Sequence, residues 1–332
     1  MIRSVFTCGD INGIGPEISL KVIDKIFACK SKNQILFVCP KNVFEYYYKQ
    51  VKAKFDFQFV KNQKSFTSSC INIIPLQNTI IKPGKITAQS GRSSYNSIIK
   101  AIELIKNDNA DVLITAPISK EAINKSGIKF TGHTELLASS EKTKDYLMMF
   151  LSNSIKSALL TIHQPIKNVP SLISIEKINL AVKLLHKTAI IDFGISNPSI
   201  AVLGLNPHAG ENGLIGSEEI NIIKPAIQNL KKKYLVEGPF VPDAFWGNKT
   251  YKKYDIILGM YHDQLLIPFK LLHFNSGVNF TAGLKLIRTS PDHGTAFDIA
   301  GKNIADASSL LQSYNYATKI FRNREKYFAS LN

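Results

Sequence analysis

Three of the seven histidines in this 332-residue chain close an apolar run. Ser-Ala-Leu-Leu-Thr-Ile leads to His163, Ile-Ala-Val-Leu-Gly-Leu-Asn-Pro to His208, and Tyr-Asp-Ile-Ile-Leu-Gly-Met-Tyr to His262. Short apolar, β-branched runs of this kind read as buried strands. In an open α/β sheet, ligands bind beyond the carboxyl ends of the strands. Three imidazoles at that edge would converge on one divalent ion. Their spacings, 45 and 54 residues, are too long for a one-helix motif, so convergence rests on the repeated strand-end setting. Neutral imidazoles suit Zn²⁺ or another borderline ion and leave one or two coordination positions open. Such an ion lowers the pKa of a bound water or alcohol and polarises a carbonyl. Asp263, next to His262, adds a carboxylate at the same edge. A single strand-end histidine is more often a hydrogen-bonded loop residue; the threefold repetition is what favours a metal. His186, in an amphipathic stretch, and His273, in an apolar one, read as structural.

Three further clusters carry chemistry. Thr131-Gly132-His133-Thr134-Glu135 precedes a helical stretch, where hydroxyl and amide groups can meet an anion, although threonine is also a routine helix cap. Lys270, Asn279 and Arg288 stand nine residues apart; a Lys, an Arg and an amide can hold a phosphate or carboxylate, or simply be surface groups. In the run from Asp292 to Lys302, glycines bracket small residues, with His293 and Thr295 available to a nucleotide. No G-x-G-x-x-G dinucleotide fingerprint occurs: the nearest segment, Gly9 to Glu17, has the wrong spacing and Pro16 after its last glycine.

These groups need a frame, and the sequence describes one. Strands are expected at Ser4–Thr7, Gln34–Cys39, Ile71–Pro75, Asp111–Thr115, Ala158–Ile162, Ile200–Leu205 and Asp255–Met260. Helices are expected at Glu17–Phe27, Ser90–Asn107, Ile178–Lys187 and Ser217–Lys231. Strands alternating with helices indicate an α/β protein. The length suggests about two domains, and the absence of a low-complexity linker places any boundary in ordinary loops. The 41 basic against 25 acidic residues give a net charge of +16. Only five of the 41 are Arg and the lysines are dispersed, which argues against nucleic acid, whose base readout favours Arg forks, and for attraction of anionic substrates. The four cysteines form no C-x-x-C pair, and no apolar run of 18 residues occurs. A cytoplasmic protein with reduced thiols, no signal peptide and no membrane partner is expected.

Read together, Gly9-Asp10 with Gly13-Ile14-Gly15-Pro16-Glu17, Thr131-Gly132-His133-Thr134-Glu135, Gly204-Leu205-Asn206-Pro207-His208-Ala209-Gly210-Glu211, Met260-Tyr261-His262-Asp263-Gln264, and Arg288-Thr289-Ser290 with Asp292-His293-Gly294-Thr295 resemble the 4-hydroxythreonine-4-phosphate dehydrogenase family of vitamin B6 (pyridoxal phosphate) biosynthesis. The resemblance runs in order over nine-tenths of the chain. It implies two α/β domains with a cleft between them, like the isocitrate and isopropylmalate dehydrogenases. The expected division is 1–128 plus 282–332, carrying the cofactor loop, and 129–281, carrying the metal ligands and a dimer interface. It implies metal ligation by His163, His208 and His262 (Zn, or Mg or Co), completed across a homodimer. It also implies substrate contacts from His133, Thr134, Lys270, Asn279 and Arg288, and NAD or NADP held by His293, Gly294, Thr295 and Ala296. The implied reaction is oxidation of 4-phosphooxy-L-threonine at C3, then decarboxylation to 3-amino-2-oxopropyl phosphate; a sister enzyme acting on another phosphorylated four-carbon hydroxy acid is the alternative. Asp243 and Asp263 are candidates for the catalytic base or for carboxylates that orient imidazoles. The sequence departs from the family's usual pattern at Cys8, Ile11, Leu265 and Lys285.

Overall fold

The computed structural model describes residues 1–61 and 65–331. The chain divides into two compact units, Met1–Glu141 with Lys285–Phe321 and Lys142–Leu284 with Arg322–Asn332. The sequence reading placed the crossings at 128/129 and 281/282. The division observed keeps residues 129–141, with His133 and Thr134, in the first unit.

In chain order the first unit supplies β1 (Arg3–Thr7), β2 (Gln34–Pro40), β3 (Phe57–Phe59), β4 (Ile71–Leu76) and β5 (Val112–Thr115), with helices α1 (Gly15–Ala28), α2 (Lys41–Val51), α3 (Ala88–Lys106), α4 (Lys120–Lys125) and α5 (His133–Glu141). The second supplies β6 (Leu147–Leu151), β7 (Lys156–Leu159), β8 (Ser199–Leu203), β9 (Leu235–Phe240), β10 (Ile256–Gly259) and β11 (Val278–Ala282), with α6 (Ile175–Ile191), α7 (Lys224–Leu230), α8 (Pro242–Gly247) and α9 (His262–His273). The chain then returns through β12 (Ile287–Pro291) to α10 (Ser308–Ala329).

The first unit's strands run in the order β3-β4-β2-β1-β5-β12, every pairing parallel. Helices on both faces bury such a sheet, and all seven residues of β2 are buried. In the second unit the order is β11-β6-β7-β10-β8-β9. There β6 is antiparallel to both its neighbours, while β7, β10, β8 and β9 are mutually parallel. Beneath these strands lies a core that includes Phe150, Leu159, Leu203, Phe245, Ile257, Leu265 and Phe269. A side chain at Gly259 would meet Leu265 Cγ at 2.5 Å, so the leucine that departs from the family pattern fills the space over that glycine.

All seven expected strands form, the one expected over 158–162 ending at Leu159. β3, β6, β9, β11 and β12 go beyond them. The expected helix over 217–231 begins with a π turn at Glu219–Ile223 before continuing as α7.

After β1 the chain makes a tight turn into α1, held by Asp10. Its amide donates to Pro117 O (2.8 Å), while its carboxylate accepts from the Asn12 amide (2.9 Å) and Ser90 Oγ (3.3 Å). Burial pushes this carboxyl up to about 6 against those two hydrogen bonds, which favour its charged form. A raised carboxyl pKa contributes stability that is complete below the unfolded value of about 3.9 and is lost as pH rises through the folded one. Asp10→Asn is therefore expected to match the wild type near pH 4 and to exceed it at pH 8, by up to about 3 kcal/mol, in denaturant melts at the two pH values. A variant less stable than the wild type at pH 8 would show that the charged carboxylate is the preferred form.

Candidate active site

The second unit's strand order places the three strand-end histidines in sequence along one edge. β7, β10 and β8 are parallel neighbours, so the segments carrying His163, His262 and His208 leave the sheet on the same side. The rings of His163 and His262 lie with centroids 5.9 Å apart. Two imidazoles on one tetrahedral ion, with metal–nitrogen bonds of about 2.0–2.1 Å, have centroids roughly 5 Å apart, a separation near the one seen here. Among the described residues, no group of three or more His, Cys, Asp or Glu side chains gathers to hold a metal within the chain. The structure thus brings two of the three expected ligands together.

His262 opens α9, and its Nδ1 lies 2.7 Å from Asp263 Oδ1. With the proton on Nδ1 that contact fixes the tautomer and leaves Nε2 as a lone-pair donor. His163 adopts a left-handed backbone, φ 50°. So does a whole run after β8: His208 (52°), Ala209 (51°), Gly210 (79°), Glu211 (41°) and Asn212 (53°). Non-glycine residues in this region cost on the order of 1–3 kcal/mol each and persist only where surroundings over-determine them. Just before this run, buried Glu219 accepts from the amides of Leu205 (2.7 Å) and Asn206 (2.8 Å), while Asn206 Nδ2 donates to both Glu218 and Glu219. Gln264 ties this loop to the next strand end, its Nε2 donating to Gly204 O (2.6 Å) and its Oε1 accepting from the Met260 amide (2.7 Å). The histidine-bearing ends of β8 and β10 are thereby fixed to each other.

The first unit holds a different site. Arg288, on β12, is buried, and its Nε donates to Thr115 Oγ1 at the end of β5 (2.9 Å). Burial pushes the guanidinium down to about 9, opposed by the charge of Glu135, so it stays cationic at neutral pH. His133 begins α5, edge-on to Phe130 at 6.2 Å. Its burial, together with the positive charges of Arg288 and Lys120, holds it well below the ordinary histidine range. It is therefore a neutral imidazole, and its buried Nε2 has no hydrogen-bond partner. Thr134 beside it is also buried. A cation, a neutral imidazole and a helix start together form a receptor for an anion.

The expected cofactor loop lies in the same unit. Gly294 is exposed, with open space where a Cβ would stand, and Ala296 has φ 42°. The glycine turn after β1 supports this loop: the Ile14 amide donates to Thr295 O (3.0 Å), and a side chain at Gly13 would strike that oxygen at 2.8 Å. The amides of Asn12, Gly13 and Ile14 are all spent internally, on Asp10 and Thr295, so this turn is no phosphate cradle.

Of the remaining expected residues, Lys270 and Asn279 belong to the second unit, on α9 and β11, and Asn279 Oδ1 is buried without a partner. Asp243 is exposed in the first turn of α8. His186 packs on Tyr234 and His273 contacts Ser154 Oγ at 2.8 Å, both structural settings. Sequence reasoning missed Thr115, Lys120 and Glu219. The first two follow from a strand end and a capped helix start; nothing local marks Glu219.

The chain matches the family described as pyridoxal phosphate biosynthetic protein PdxA over residues 30–317. It is 41% identical over 328 residues to the 4-hydroxythreonine-4-phosphate dehydrogenase of Sulfurihydrogenibium sp. (strain YO3AOP1), covering 98% of this chain and 100% of that one. Among solved structures, it superposes on the 4-hydroxythreonine-4-phosphate dehydrogenase of Klebsiella pneumoniae with a TM-score of 0.83 and 34% identity, over 97% and 100% of the two chains. Isocitrate dehydrogenase from Methylococcus capsulatus, at 10% identity and a TM-score of 0.52, over 98% of this chain and 87% of that one, shares the fold. With its motifs in place and its relatives matched from end to end, the chain belongs to the PdxA family of pyridoxal phosphate biosynthetic proteins.

Proposed function

We propose that this protein oxidises 4-phosphooxy-L-threonine at C3 with NAD or NADP, and that the β-keto acid so formed loses CO₂ to give 3-amino-2-oxopropyl phosphate. The observation that carries the reading is the buried Arg288 beside a neutral His133, in a chain whose relatives bear the name of that dehydrogenase. A buried cation costs desolvation unless an anion meets it, and a phosphate ester supplies one. Arg288 is aimed by Thr115, while His133 and Thr134 offer neutral donors. Lys270 and Asn279 are the second unit's candidates for substrate contact.

His163, His208 and His262 would hold the divalent ion, zinc by preference and Mg or Co as alternatives, with Asp263 orienting His262. The bound ion would supply Lewis-acid polarisation of the substrate's oxygen and the nicotinamide would supply the hydride acceptor. Asp243 remains a candidate proton acceptor. The open loop His293–Ala296 is assigned to the cofactor, with the Gly13–Gly15 turn as its buttress.

A homodimer supplies what one chain lacks. Along α9, Ile267, Leu271 and Phe274 follow one another at helical spacing, and Leu271 is 82% and Phe274 66% exposed. An apolar row of this kind marks an interaction surface, and it lies on the helix that begins with His262. No helix among the described residues is long and apolar enough to cross a membrane, and we assign the protein to the cytoplasm, where its four free cysteines stay reduced.

Three outcomes are expected. Arg288→Ala should lower kcat/KM by about 10- to 150-fold, from roughly 1.5–3 kcal/mol per charge-assisted bond. Thr115→Val should act in the same direction and less strongly. Initial rates with and without the phosphate decide the matter, since equal fractional losses for 4-hydroxythreonine and its phosphate would assign Arg288 to the fold or to the substrate's carboxylate. Equilibrium dialysis should find one Zn²⁺ per subunit in the wild type and a loss of that binding in His163→Ala and His262→Ala. Leu271→Glu should sediment as a monomer where the wild type sediments as a dimer; an unchanged sedimentation coefficient removes α9 from the interface.

A further inference from the structure

We propose that Lys120 is a further substrate-binding residue, the second cation of the phosphate pocket, which takes the phosphate oxygens that Arg288 leaves unbound. The proposal rests on the pocket assigned above to Arg288, His133 and Thr134.

Lys120 stands at the first position of α4, after the Ser119 cap whose Oγ accepts from the Ala122 amide (3.1 Å). It therefore leaves β5 by the same carboxyl end as Thr115, the residue that aims Arg288. Across from it the loop before α5 is bare backbone: a side chain built on Gly132 would meet Glu135 Oε2 at 2.5 Å and Lys120 Nζ at 3.5 Å. The ammonium and the carboxylate thus lie beside Gly132, and His133 next to it feels the charges of both Lys120 and Arg288. Two cations act on this small volume and one carboxylate, Glu135, faces them. Like charges brought close oppose each other, and a phosphate dianion between them removes the conflict while drawing on both. The two cations suit different parts of that task. Arg288 is buried and held in one orientation, a fixed fork for two oxygens; Lys120 is exposed on a flexible stem and can follow the remaining oxygen as it enters.

The test uses the metal- and cofactor-loaded protein with Lys120→Ala, Lys120→Gln and Lys120→Arg. For the phosphorylated substrate, the Ala and Gln variants should raise KM about tenfold or more, and the Arg variant should recover most of the loss. Turnover of unphosphorylated 4-hydroxythreonine should change less than twofold. Inorganic phosphate alone should raise the melting temperature of the wild type and do so less for Lys120→Ala. Equal losses on both substrates, or an unchanged KM with an unchanged phosphate-induced shift, would overturn the proposal and leave Lys120 as a partner of Glu135. The phosphate arm also separates the two readings: if the wild type fails to oxidise the phosphorylated threonine yet the phosphate shift still depends on Lys120, the substrate assignment falls and the pocket stands.

Discussion

The placement of the histidines in the second unit depends on the direction of three strands. Because β7, β10 and β8 are adjacent and parallel, their carboxyl ends open on one edge, and each is followed within five residues by a histidine. No single helix or loop could bring together residues so far apart in sequence. The sheet sets their strand ends side by side through backbone hydrogen bonds, and the apolar core beneath, with Leu265 filled in over Gly259, keeps the strands in register. What remains is to hold the loops still, and here polar groups act in place of packing. Glu219, Glu218 and Gln264 bond residues 204–206 and the Met260 amide, which fixes the segment leading into the left-handed run at His208.

The first unit solves a different problem, the burial of charge. An arginine inside a sheet is costly unless its donors are met, and Thr115 meets one of them. His133 is kept uncharged by the same burial and by its cationic neighbours. A site in which a cation and a neutral imidazole are both desolvated has its electrostatics set before any ligand arrives, which is the condition for tight recognition of an anion. The departures from the family pattern leave this intact. At position 285 the residue carries an amide hydrogen that a proline would lack, and Lys285 uses it, donating to Glu141 Oε2 (2.8 Å) beside the Leu286 bond to Oε1 (2.7 Å).

Much of this was legible in the sequence, for identifiable reasons. Strands such as Gln34–Pro40 and Ser199–Leu203 are near-continuous apolar runs, because a parallel sheet is covered on both faces. Of the strands that went unread, some depart from that composition. β12 is Ile-Arg-Thr-Ser-Pro, fully buried yet mostly polar, with Arg288 bonded to Thr115 and Thr289 to Ser313 O. β9 carries glycine and proline at a sheet edge. β6 is a Leu-Met-Met-Phe-Leu run that periodicity alone cannot separate from a helix. Among site residues, the histidines were legible because their setting repeats. Thr115 and Glu219 were not, because each acts only through a neighbour distant in sequence. The unit boundary shifted for a similar reason: α5 is anchored to residues 285–286 through Glu141, a contact that no local pattern announces.

The route of the chain also bears on synthesis. β12 pairs with β5, yet the whole second unit is encoded between them. From the moment Thr115 leaves the ribosome until Pro291 follows, roughly ten to thirty-five seconds at about 5–20 residues per second, β5 has one flank without its mate. Its residues Val-Leu-Ile-Thr form a bare apolar border of the kind that recruits foreign strands. The nascent protein therefore passes through a window of aggregation risk whose duration is set by the length of the inserted unit, and a chain with a shorter insertion would close that window sooner.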